Sequence, residues 1–227
     1  MHLSIVVSLY NEEQVARQFI EELVGAIEGH EEVEIVLVNN GSTDRTGKIL
    51  DSYSQERGVV KVVHNPVPTM GKGNGIAAGI KNASGKYIAL MDGDMQQDPK
   101  DVFNLLGLME RKNLDYIIGW RRRRQDSMDR LALSFAYNVM IKTLFNIPVW
   151  DIGGQPRIFK ADYLKRVDIT CKRWLIELEV PYKMKKMGLR GGFGRVSHRP
   201  REKGASKINM VQAWSIFKDL MLFRLGA

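Results

Sequence analysis

The run Lys86-Tyr87-Ile88-Ala89-Leu90-Met91 passes directly into Asp92-Gly93-Asp94-Met95-Gln96-Gln97-Asp98-Pro99. Its first half is a mostly apolar stretch of strand length, as expected of a strand covered on both faces. Its second half turns, and Pro99 opens a helical pattern that reaches residue 112. Two carboxylates two residues apart at a strand end can turn to one side of a loop. There they suit a hard divalent cation, Mg2+ or Mn2+, which prefers oxygen ligands and keeps positions open for phosphate oxygens. Gln96 offers another oxygen to the same side. Asp92, Asp94 and Gln96 are therefore the candidate metal ligands, although acidic pairs at strand ends also form turns and cap helices.

Upstream, the strand–turn–helix unit repeats. Mostly apolar runs at 3–8, 33–38 and 59–64 read as strands, and a fifth follows at 114–119. Asn11 is placed to cap a first helix, with Glu12 and Glu13 in its opening turn and Phe19, Leu23 and Ile27 along one face. Asn39-Asn40-Gly41-Ser42-Thr43-Asp44 is a turn, with Ser42 or Thr43 placed to cap a helix running to about residue 57. Gly71-Lys72-Gly73-Asn74-Gly75 precedes a helix at 76–83. Its glycines fit neither the dinucleotide fingerprint nor the phosphate-binding P-loop. The stretch is either a flexible helix start or a place where Lys72 and nearby amides approach a diphosphate. Strands alternating with helices imply an α/β fold, a mostly parallel sheet with helices on both faces. Ligands of such sheets sit beyond the carboxyl ends of the strands. Residues 10–12, 39–44 and 92–96 all fall there.

Past residue 119 the character changes. Residues 1–119 hold 11 Lys+Arg against 17 Asp+Glu, whereas residues 120–227 hold 23 against 9. We read one continuous domain with an acidic half (1–119) and a basic half (120–227), the latter suited to nucleic acid, an anionic membrane or a phosphorylated substrate. The basic half reads as a polar loop at 120–126, helices at 131–145, 174–187 and 208–225, a turn at 151–156, a strand at 157–160, an extended stretch at 189–196 and a basic loop at 198–207. Arg121, Arg130 with Ser134 one helical turn on, Arg201 and Lys207 could converge on a phosphate, which guanidinium forks bind bidentately. Asp151 is the best placed carboxylate for a general base. Glu177 and Glu179 sit on a helix that can face elsewhere, and His198 is a possible distal metal ligand. A single cysteine, Cys171, allows no internal disulfide. No signal-peptide pattern opens the chain, and no stretch approaches the roughly 20 apolar residues of a spanning helix. The expectation is a cytoplasmic protein whose helices at 131–145 and 208–225 carry apolar faces beside Lys and Arg.

Taken in order, Val7-Ser8-Leu9-Tyr10-Asn11-Glu12-Glu13, the 40–44 turn, Gly71-Lys72-Gly73 and Asp92-x-Asp94-x-Gln96-x-x-Pro99 resemble family 2 glycosyltransferases. Arg121, Arg130-x-x-x-Ser134-x-x-x-Asn138 and Arg201-x-x-Gly204-x-Ser206-Lys207 resemble its polyprenyl-phosphate branch, which includes dolichyl-phosphate mannose synthase. The resemblance implies a GT-A fold and inverting transfer from a nucleotide-diphosphate sugar to a polyprenyl phosphate, with Mg2+ or Mn2+. It implies that Ser8, Tyr10, Glu12, Asn39, Asn40 and Ser42 hold the nucleoside, while Asp92, Asp94 and Gln96 hold the metal and diphosphate, beside the Lys72 already read as a candidate diphosphate contact. It assigns Arg121, Arg130, Ser134, Arg201 and Lys207 to the acceptor phosphate and the donor diphosphate. An anionic membrane surface, on the cytoplasmic face, is the implied partner rather than nucleic acid, and oligomeric state is left open. Two positions depart from the family pattern: Ser8 replaces a usual proline, and Asn39-Asn40 replaces a usual acidic pair. An amide donates as well as accepts, so the second change alters what the turn can offer a base.

Overall fold

In the computed structural model, residues 1–65, 71–121, 128–147, 151–171, 175–199 and 210–225 are described, with backbone only at 129–133 and 210–217. The elements run β1 (Leu3–Leu9), α1 (Ala16–Ile27), β2 (Val33–Asn39), α2 (Thr46–Glu56), β3 (Val60–His64), α3 (Lys72–Asn82), β4 (Tyr87–Asp92) and α4 (Lys100–Arg111). They continue with β5 (Tyr116–Arg121), α5 (Met128–Phe145), β6 (Arg157–Lys160), α6 (Ala161–Leu164), α7 (Ile176–Lys186), β7 (Gly191–Val196) and α8 (Met210–Leu225). One seven-stranded sheet has the order β3-β2-β1-β4-β6-β5-β7. Every neighbouring pair is parallel except those made by β6, which runs antiparallel between β4 and β5. Both halves of the chain thus share a single sheet.

Side-chain alternation along β1 explains the two covered faces. Leu3, Ile5, Val7 and Leu9 pack on one side against α1, α2 and α4 through Phe19, Leu23, Leu50 and Leu105. Val6 points to the other side, where Ile76 and Ile80 of α3 and Ile176, Val180 and Met184 of α7 cover the sheet. A third cluster joins α5, α7 and α8 through Ile141, Phe145, Leu178 and Leu220. At the amino ends of the strands, the buried Glu34 carboxylate accepts hydrogen bonds from Ser4 Oγ (2.5 Å), Ser84 N (2.6 Å) and Ser84 Oγ (2.8 Å). This knot ties β2 to β1 and to the loop before β4.

Three local expectations change. Asn11 does not cap α1: the helix begins at Ala16, and Asn11 has φ 53°, a left-handed conformation that Asn tolerates. Its side chain instead crosses to the 39–44 turn. Neither Ser42 nor Thr43 caps α2, which starts at Thr46, where Asp44 Oδ1 accepts the Thr46 N–H at 2.9 Å. The glycine-rich stretch is helical from Lys72, four residues earlier than its composition suggests. A Cβ on Gly75 would stand 2.1 Å from Ser8 Oγ, and one on Gly79 would stand 2.2 Å from Val6 Cγ1. These glycines let α3 lie close on the sheet rather than make it flexible.

Candidate active site at the carboxyl edge of the sheet

The carboxyl ends of β1, β2 and β4 lie side by side, since Ser8 pairs with Val38 and Asp92 and Leu9 pairs with Asn39. The turns that follow the first two strands interlock. Asn11 N donates to Ser42 Oγ (3.1 Å), Thr43 N to Asn11 Oδ1 (2.8 Å), Glu12 N to Thr46 Oγ1 (2.9 Å) and Arg45 N to Glu13 Oε2 (3.0 Å). Asn39 and Asn40 serve this scaffold. Asn39 Oδ1 accepts from Ser42 N and its amide nitrogen meets His64 Nδ1, while Asn40 donates to Gly71 O and accepts from Asn65. Asn40 is almost wholly buried, whereas Tyr10 stands exposed at the edge.

The Asp92–Asp98 turn forms the middle of the site. Met95 has φ 64°, Gln96 N donates to Asp94 Oδ1 at 3.2 Å, and Gln97 Oε1 accepts the Asp92 N–H at 3.1 Å. A strap from the end of β7 fastens this turn. Arg199 N donates to Gln96 O at 2.9 Å, and its guanidinium meets Glu22 at 2.5 Å and Asp98 at 3.1 Å. Ser197 adds two bonds to Asp101 at 2.7 and 2.6 Å. His198 Nε2 consequently lies 3.5 Å from the Gln96 amide nitrogen. Among the described residues no three His, Cys, Asp or Glu side chains gather as a metal cage. Asp92, Asp94 and Gln96 on one turn nonetheless offer oxygens that fit a hard cation held by one or two carboxylates and completed by phosphate and water.

Behind the turn lies an enclosed charge chain. Lys72 Nζ sits 2.6 Å from Asp92 Oδ1 and 2.5 Å from Glu177 Oε1. Burial alone would lower the lysine's pKa, but the charges of Asp92 and then Glu177 outweigh it and raise it. For Glu177 burial pushes upward, yet Lys72 and Arg157 hold its carboxyl below the usual range. Arg157, almost wholly buried, lies with Nη2 3.6 Å from Glu177 Oε2. It donates to the carbonyls of Gly154 (3.0 Å), Glu177 (2.5 Å) and Ile152. Arg121 grips Asp151 bidentately, at 2.7 and 2.8 Å. On α5, Asn138 Oδ1 accepts the Ile152 N–H at 3.0 Å, anchoring the same loop.

Of the sequence candidates, the structure brings Ser8, Tyr10, Glu12, Asn39, Asn40, Ser42, Lys72, Asp92, Asp94, Gln96 and Arg121 to this edge. Arg121 belongs to β5 with Trp120, not to the loop. Ser134 lies on α5 one turn before Asn138. The Arg130 side chain, Arg201 and Lys207 lie outside the described residues. Sequence reasoning missed Arg157 and the fastening role of residues 197–199, and it set aside Glu177, which faces the site while Glu179 turns away to accept hydrogen bonds from Thr170 and Cys171. An Arg opening the apolar Arg157-Ile158-Phe159 run was the one available hint.

The glycosyl transferase family 2 model matches residues 4–180. The chain belongs to this family. Among its relatives, a dodecaprenyl-phosphate galacturonate synthase from Rhizobium johnstonii is 31% identical over 229 residues, covering 97% of this chain and 66% of its own. An undecaprenyl-phosphate 4-deoxy-4-formamido-L-arabinose transferase from Proteus mirabilis is 27% identical over 222 residues, covering 96% and 66%. The chain therefore spans 66% of the length of these two relatives. A solved structure of glucosyl-3-phosphoglycerate synthase from Mycobacterium tuberculosis, in complex with Mn2+, UDP and phosphoglyceric acid, superposes with TM-score 0.75 at 18% identity, covering 99% of this chain and 78% of that one. That likeness identifies the glycosyltransferase fold as GT-A.

Proposed function

We propose that this family 2 glycosyltransferase moves a sugar, with inversion, from a nucleotide-diphosphate donor to a polyprenyl phosphate. The observation that carries the reading is the junction of two parts: the Asp92–Asp98 turn and the strap at 197–199 that precedes the basic loop are bonded to each other, Arg199 donating to Gln96 O and to Asp98. In this reading donor and acceptor chemistry meet at one edge. Relatives named for transfer to dodecaprenyl and undecaprenyl phosphate support the acceptor class.

In this reading Ser8, Tyr10, Glu12 and Ser42 line the nucleoside side, while Asn39 and Asn40 fix the shape of the turn. Asp92, Asp94 and Gln96 hold Mg2+ or Mn2+, as a neighbour solved with Mn2+ and UDP suggests. When bound, the cation would stabilise the charge that develops on the departing diphosphate. The acceptor phosphate is already an anion at neutral pH, so its oxygen needs no strong base. Arg121, held in a fixed plane by Asp151, together with Arg130, Ser134, Arg201 and Lys207, concentrates that phosphate and aligns it with the anomeric carbon. A hydroxyl acceptor would instead need a carboxylate in reach of its proton. Asp151, 3% exposed, is committed to Arg121, and Glu177 to Lys72, which favours the phosphate acceptor.

Among the described residues no helix is long and apolar enough to cross a membrane. Phe135 (71% exposed) and Val139 (47%) form one outward stripe on α5, and Leu222 and Leu225 stand exposed on α8. We read these faces as resting on an anionic membrane surface, on its cytoplasmic side, within reach of a lipid-borne phosphate. Thermal-shift measurements with a panel of nucleotide sugars, each with and without Mn2+, test the donor site. One nucleotide sugar is expected to raise the melting temperature in a Mn2+-dependent way. The absence of any such shift across the uridine, guanosine and cytidine donors would overturn the reading.

A further inference from the structure

Lys72 serves two carboxylates from different halves of the chain. Its ammonium is 2.6 Å from Asp92 and 2.5 Å from Glu177, the second partner lying 105 residues away. The three side chains are only 14%, 28% and 18% exposed, so solvent screens the group weakly. Under the reading above, Asp92 must also attract a divalent cation. A lysine bonded to Asp92 alone would neutralise that carboxylate and repel the incoming ion. Glu177 gives the lysine a second place to rest.

Glu177 is itself held still. The buried Arg157 guanidinium lies 3.6 Å from its second carboxylate oxygen and donates to its backbone carbonyl at 2.5 Å. The same guanidinium binds the carbonyl of Gly154 at 3.0 Å, so it cannot swing away with Glu177. Lys72, on a flexible four-carbon stem at the first position of α3, is the mobile partner. We propose that Glu177 is a positioning residue that takes up the Lys72 ammonium and so leaves Asp92 able to bind the divalent cation. This role rests on the assignment of the Asp92–Gln96 turn to a metal. It is distinct from proton transfer, and Glu177 need never touch the sugar or the acceptor.

Direct binding of Mn2+ alone to the folded protein, read as free Mn2+ by electron paramagnetic resonance, tests the role without turnover. Glu177→Gln keeps the shape and removes the charge; it is expected to weaken Mn2+ binding about tenfold or more. Adding Lys72→Met to that variant removes the competing ammonium and is expected to restore most of the lost affinity. Lys72→Met alone, which leaves both carboxylates without the ammonium, is expected to bind Mn2+ more tightly than wild type. This single variant keeps the test open should Glu177→Gln not fold. A purely structural Glu177 would lower the melting temperature without rescue by Lys72→Met, and that result overturns the proposal. Unchanged Mn2+ affinity in Glu177→Gln overturns it as well. If wild type binds no Mn2+, or binds it as well after Asp94→Asn, the metal assignment itself fails; if only the Glu177 variants are indifferent, that assignment stands and the positioning role alone is lost.

Discussion

At the scale of single residues, the same chemical group, a carboxylate, ties strands together at one end of the sheet and is proposed to hold a cation at the other. Burial alone would raise the Glu34 pKa, but hydrogen bonds from Ser4 and Ser84, with the Lys61 charge, lower it below its ordinary 4.5. A carboxyl depressed on folding adds stability above the unfolded value, and that stability is lost as pH falls through the folded one. Glu34→Gln is expected to cost about 1–3 kcal/mol at pH 7 and to flatten the loss of stability below pH 4.5; urea melts across pH 3–7 check both. At the carboxyl edge, Asp94 Oδ1 accepts the Gln96 N–H at 3.2 Å, an acceptor that asparagine retains. Asp94→Asn is therefore expected to keep the melting temperature within a few degrees while turnover falls by roughly a hundredfold or more. Comparable losses of both would mean that the carboxylate is only a turn former. The Asp92, Asp94 and Gln96 cluster was legible because its members are neighbours in sequence. Glu177 was not, because its partner Lys72 is 105 positions away and only the fold brings them together.

At the scale of elements, the strands were readable, whereas the starts of α1, α2 and α3 were not. Buried parallel strands leave mostly apolar runs, so β1, β2 and β4 fall within a residue or two of their expected limits, as does the less buried edge strand β3. The start of α3 depends instead on what lies beneath it. Local propensity penalises Gly73, Gly75 and Gly79, yet a Cβ on Gly79 would meet Val6 Cγ1 at 2.2 Å and Val38 Cγ2 at 3.1 Å. Those β-branched, buried side chains have little room to yield. Gly79→Ala is thus expected to destabilise the protein by about 1–3 kcal/mol, although alanine favours a helix by about 1 kcal/mol over glycine. Chemical denaturation measures it; a more stable variant would mean that α3 can lift off the sheet at no cost. Asn11 teaches the same lesson: a good local cap was overridden by its bonds to Thr43 across two turns.

At the scale of the whole molecule, the two halves that differ in charge both contribute strands to one sheet. The first half contributes the interlocked turns and the acidic turn. The second half inserts β6 antiparallel between β4 and β5 and returns through β7 to fasten that acidic turn with Arg199. A four-residue strand carries no sign of where it will pair, so this insertion could not be read in advance. Its consequence is that residues from both halves share a continuous charge chain, from Asp92 through Lys72, Glu177 and Arg157 towards the Arg121–Asp151 pair. In the proposed reaction an acceptor arriving as a phosphate anion dispenses with a general base. The most direct measurement compares transfer of a radiolabelled sugar from its nucleotide donor to a short polyprenyl phosphate and to the free alcohol of the same length. Lipid-linked product is expected with the phosphate alone; transfer to the alcohol or to a glycan hydroxyl, with none to the phosphate, would contradict the account.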